Sequence, residues 1–69
     1  MKNIGEIIRK HRKLKNLTQE ELGNKLFVSK QAVSKWERGQ SCPDILILDE
    51  LANILGVEIK DFFDQEKPS

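Results

Sequence analysis

The chain has one cysteine, Cys42, in 69 residues. No internal disulfide can staple it, and a reducing compartment fits. With a single His11 beside that cysteine, the usual structural metal sites have no ligand set, and no metal or cofactor is expected. No apolar run approaches the ~18–20 residues of a membrane span. The N-terminus lacks the apolar core of a signal peptide, because Glu6, Arg9 and Lys10 interrupt it. No stretch alternates with period two for long enough to make a strand, and neither an internal repeat nor a low-complexity segment is present. No nucleophile–base pairing or phosphate loop is recognisable, so an enzyme is not expected. These absences point to a small cytoplasmic α-helical protein with no membrane partner and no evident small-molecule ligand. At this length one core supplies roughly 3–5 kcal/mol.

Charge is plentiful but unevenly placed. Residues 1–40 carry ten Lys or Arg against four Glu, a net of +6, whereas residues 41–69 carry two Lys against seven acids, a net of −5. One half attracts a polyanion and the other repels it.

Apolar spacing predicts five short helices around one core. The first covers about residues 3–15, with Ile4, Ile7, Ile8 and Leu14 inward and His11 packing on the same stripe; Asn16 is a left-handed stop. Thr18 and Glu21 then form a capping box that starts a second helix to about Leu26, with Leu22 and Leu26 inward. Ser29 caps a third helix that ends at Gly39. Gln40 to Pro43 form a turn. A fourth helix covers about residues 44–55, capped by Asp44 or Ser41 and closed by Gly56, with Ile45, Leu48, Leu51, Ala52 and Leu55 in the core. A fifth, about residues 58–63, brings Ile59, Phe62 and Phe63 inward. Residues 1–63 are read as one domain and 64–69 as a flexible tail or the start of a linker.

Between the second and third helices lie only Phe27 and Val28. Helices joined so tightly cross steeply, as in a helix-turn-helix. Gly23 permits the close approach, and Val28, Val33 and Trp36 form the wedge. The stretch SKQAVSKWERG, residues 29–39, then has its Ala32, Val33 and Trp36 face clamped and its Lys30, Gln31, Ser34 and Lys35 face presented outward. That outer face holds no acid. A helix fits the DNA major groove, where Gln pairs with adenine, Lys with guanine and Ser with either. The capped N-terminus of the second helix, at Thr18, suits a backbone phosphate.

The segments LTQEEL, VSKQAVSKWERG and LANILGV, at these spacings, closely resemble the helix-turn-helix family of Cro/cI-type repressors and xenobiotic-response-element regulators. The resemblance covers about residues 4–63. It implies a lambda-repressor-like, all-α DNA-binding domain that dimerises on a palindromic double-stranded operator. It also implies base reading by Lys30, Gln31, Ser34 and Lys35, phosphate contacts from Arg38, Gly39 and Gln40, and a contact from Gln19 to the backbone or the outermost base. It further implies an internal ion pair between Arg12 and Glu37. The family's turn carries Gly where this chain has Phe27, so either the turn differs or Phe27 gains by packing.

Plainer readings hold for several residues. Trp36 belongs to the core rather than stacked on a base. Cys42 is an inert thiol. Lys2, Lys10, Lys13, Lys15 and Lys25 are solvated charge, some adding diffuse attraction to a polyanion. A transcriptional repressor is the expected role; the alternative is a protein-interaction module, antitoxin-like or anti-repressor, with a vestigial helix-turn-helix. Ile47 and Ile54, seven apart on the fourth helix, and Phe63 are candidate contacts for a weak homodimer.

Overall fold

The computed structural model describes residues 4–63. The expected start at Asn3 and the tail at 64–69 lie outside them. Four α-helices follow in order: α1 Ile4–Leu14, α2 Gln19–Leu26, α3 Lys30–Glu37 and α4 Ile45–Leu55. The fifth element, Ile59–Phe62, is a 3-10 turn rather than an α-helix.

Helices α2, α3 and α4 each start at a side-chain oxygen. The Thr18 hydroxyl accepts from the Glu21 amide at 2.9 Å, and the Glu21 carboxylate accepts from the Thr18 amide at 2.9 Å. Ser29 accepts from the Ala32 amide at 3.2 Å and Asp44 from the Ile47 amide at 2.9 Å. Such caps contribute about 1 kcal/mol each.

All four helices end in the same way. Leu17, Val28, Gln40 and Val57 donate their amides back to the carbonyls of Arg12, Gly23, Lys35 and Ala52, five residues upstream. This closure places a left-handed residue just before each donor. Those residues are Asn16, Phe27, Gly39 and Gly56, with φ of 59°, 60°, 75° and 75°. Asn and Gly suit that conformation. Phe27 does not, and it is 94% exposed. The turn is therefore left-handed after all, and packing does not compensate Phe27.

Ile8, Leu22, Val33, Leu51, Leu55 and Phe62 fill the centre, with Trp36 buried among the surrounding core residues. Two glycines let backbones meet. A Cβ on Gly23 would lie 2.7 Å from the Val28 carbonyl oxygen, so Gly23 admits the α2–α3 turn itself. A Cβ on Gly5 would collide with the carbonyl of Trp36, where α1 crosses the end of α3.

Three expected core residues are exposed instead: Leu14 at 66%, Ile45 at 62% and Phe63 at 55%. Leu14 ends α1 on a flank that no neighbouring helix covers; the buried stripe there runs from Ile8 to Arg12. Ile45 occupies the first turn of α4, beyond the edge of the core. Phe63 is turned away because three residues per turn put Ile59 and Phe62 on one face and the next residue on another.

Candidate nucleic-acid interface

Helix α3 is held by its inner side. Val33 and Trp36 are buried and Ala32 half-buried, which leaves Lys30, Gln31 and Lys35 exposed. Ser34 is half-buried; its hydroxyl accepts from Arg38 Nε at 3.1 Å, and its carbonyl accepts from the same nitrogen at 3.3 Å. Arg38, Gly39 and Gln40 follow as an exposed, left-handed exit from the helix.

Beneath this surface lies one ion pair with three attachments. Arg12 donates from Nε to Glu37 Oε2 at 2.6 Å, from Nη2 to Glu37 Oε1 at 3.1 Å, and from Nη1 to the Leu17 carbonyl at 2.8 Å. The side chains are 11% and 4% exposed. The fork geometry matches the planar guanidinium to both carboxylate oxygens. Gln19 adds a hydrogen bond from its amide nitrogen to Glu37 Oε1 at 3.1 Å. The first residue of α2 is thus tied to the last residue of α3, and the angle between the two helices is fixed by a polar clamp as well as by Val33 and Trp36.

Thr18 and Gln19 border a depression at the start of α2, together with Arg12, Lys13, Asn16, Glu20 and Lys30. The helix N-terminus and the cations Lys13 and Lys30 favour an anion there, and Glu20 offsets part of that charge. Among the described residues, no group of His, Cys, Asp and Glu is placed to hold a metal ion, and no helix is long and apolar enough to cross a membrane.

Ile47 and Ile54 are half-buried against the core, and Phe63 lies exposed past the 3-10 turn. Sequence reasoning missed Gln19 as a partner of Glu37 and Arg9 as a neighbour of this surface. The spacing Arg9, Arg12, Lys13 (i, i+3, i+4) does place the three on one side of α1.

Residues 8–62 match the helix-turn-helix family. The chain belongs to that family, the Cro/cI-type DNA-binding transcriptional regulators. This helix-turn-helix chain is 30% identical to the P22 c2 repressor, whose crystal structure is in complex with a synthetic operator. The TM-score is 0.88, with 96% of this chain and 100% of that one covered. It is 42% identical over 53 residues to an uncharacterised helix-turn-helix transcriptional regulator of Methanocaldococcus jannaschii, which covers 77% of this chain and 80% of the relative. It is also 40% identical over 53 residues to the transcriptional activator BcrR of Enterococcus faecalis, spanning 77% of this chain and about a quarter (26%) of that protein. The family is one of transcription regulators, not of enzymes.

Proposed function

We propose that the chain binds a palindromic DNA operator as a weak homodimer, reads it in the major groove with α3, and represses transcription there. The observation that carries this reading is the outer surface of α3. Lys30, Gln31 and Lys35 are exposed on it with no acid among them, and the inner face is clamped so that the helix can be presented as a rigid body. Lys30, Gln31 and Lys35 contact base edges, with Ser34 at the margin of that set. Thr18, Gln19, Arg38, Gly39 and Gln40 hold the phosphates. The DNA-binding domain is taken to span residues 1–63.

Repression is favoured by the likeness in fold to the P22 c2 repressor chain, with a TM-score of 0.88. Dimerisation is favoured by apolar surface in the acidic half. Phe63 is exposed, and Ile47 and Ile54 flank a core already completed by Leu48, Leu51 and Leu55. That half does not compete for phosphate. Two units would then lie on half-sites about 34 Å apart.

Selection of bound duplexes from random DNA, followed by a salt titration on the selected site, tests the reading. The expected result is a palindromic site bound by two chains, with log affinity falling linearly with log salt at about 0.9 per phosphate contacted. No enrichment of any duplex would instead favour a protein-interaction module with a vestigial helix-turn-helix.

A further inference from the structure

We infer that α1 forms part of the DNA-binding surface, where Arg9 and Lys13 join Arg38 in gripping one backbone phosphate over Ser34 and Gln19. This rests on the DNA-binding reading above and assigns it a phosphate seat built from three helices. The seat is a second depression, beside the one at the start of α2. Arg9 and Lys13 border it from α1, Gln19 from α2, Ser34 from α3, and Arg38 from the exit of α3.

Its net charge is positive. Among the described residues Glu37 is the only acid lining it, and both Glu37 oxygens are engaged by Arg12, with Gln19 adding a further bond. Arg12 therefore offsets Glu37 and leaves Arg9, Lys13 and Arg38 over. None of these three has an ion pair among the described residues. A surface shaped only for solubility intersperses both signs. Here three cations converge around a carboxylate already held by Arg12 and Gln19, and a bound anion would relieve the excess positive charge.

The donors are also oriented. Arg38 is tethered through Nε to Ser34, so both its terminal amino groups remain to meet a phosphate as a fork. The Ser34 hydroxyl accepts that bond and keeps its own hydrogen to donate. Gln19 gives one amide hydrogen to Glu37 and retains the other. The seat thus offers mainly hydrogen-bond donors, which suits the acceptor-only oxygens of a phosphodiester. The two depressions share Lys13 and Gln19 as a rim. One strand crossing that rim would seat a phosphate on each side, the first at the α2 N-terminus and the second here. Ser34 then positions Arg38 rather than reading a base, and the reading set contracts to Lys30, Gln31 and Lys35.

The test uses the full chain, with anisotropy titrations across a salt series on the selected duplex and on a random duplex of equal length. Arg9→Gln and Lys13→Gln are each expected to weaken both duplexes by the same factor and to lower the salt slope on each by part of the ~0.9 that one shared phosphate contributes. Arg9→Lys should restore most of the slope. Lys25→Gln, an equal charge change on the exposed side of α2, should leave it unchanged. A methylphosphonate scan of the operator should find one phosphate whose neutralisation removes the effect of both Arg9→Gln and Arg38→Gln. Unchanged slopes for Arg9→Gln and Lys13→Gln, or an equal loss for Lys25→Gln, would overturn the seat and reduce α1 to diffuse attraction. Failure of the wild-type chain to bind any duplex would instead overturn the DNA-binding reading itself.

Discussion

Helices α3 and α4 meet the same core and present opposite surfaces. α4 buries Leu48, Leu51, Ala52 and Leu55 over eleven residues, and its polar positions include Asp49, Glu50 and Asn53. α3 is eight residues long and buries only Val33 and Trp36. A helix so short gains little from its own hydrogen bonds. It is held at its ends instead: by the Ser29 cap and the α2–α3 turn at one, and by the Arg12–Glu37–Gln19 clamp at the other. Among the described residues, helix α4 supplies four of the eleven buried apolar residues of the core and α3 only two, which leaves most of the α3 surface outward. The charge follows the same division, basic through residue 40 and acidic beyond.

The comparison can be broken most severely at the clamp. Glu37→Ala leaves a nearly buried Arg12 guanidinium without its carboxylate, and losing one partner of such a pair costs about 3–5 kcal/mol. Denaturant melts should show that loss, and an unchanged midpoint would mean the clamp holds nothing. Next is Leu51→Ala in α4, which is expected to cost about 2–5 kcal/mol through lost burial and a cavity. Exposed Lys35→Ala in α3 should stay within about 0.5 kcal/mol in the same melts. Comparable losses at Leu51 and Lys35 would erase the contrast between the two helices. One substitution acts on folding with the opposite sign. Phe27→Gly removes a left-handed aromatic that nothing covers, and should stabilise the fold by about 1 kcal/mol. A destabilised Phe27→Gly chain would show that Phe27 makes a contact absent from residues 4–63.

Much of the scaffold was legible because its signals are local. Thr18 with Glu21, Ser29, Asn16, Gly39 and Gly56 mark helix ends within a residue or two, since each satisfies backbone groups a few positions away. Burial was less legible, because periodicity names a face but not what arrives to cover it. Leu14, Ile45 and Phe63 fall on the predicted inward faces, yet the core stops short of them. Gly5 shows the same limit in reverse. Nothing near it in the chain hints that the carbonyl of Trp36 will lie against it. At the candidate interface, the one-signed face of α3 was readable from spacing. The tethers that position it, from Gln19 to Glu37 and from Arg38 to Ser34, and the seat on α1 depend on helices brought together from distant parts of the chain.

The central claim is that the outer face of α3 reads base sequence while the rest of the molecule holds it in place. The most direct measurement is the affinity of Gln31→Ala and Lys35→Ala chains for the selected duplex and for random duplex at one salt concentration. Each substitution is predicted to cost about 1–3 kcal/mol on the selected duplex and little on the random one. Equal losses on both would contradict the account, for they would make α3 a general polyanion contact with no sequence to read.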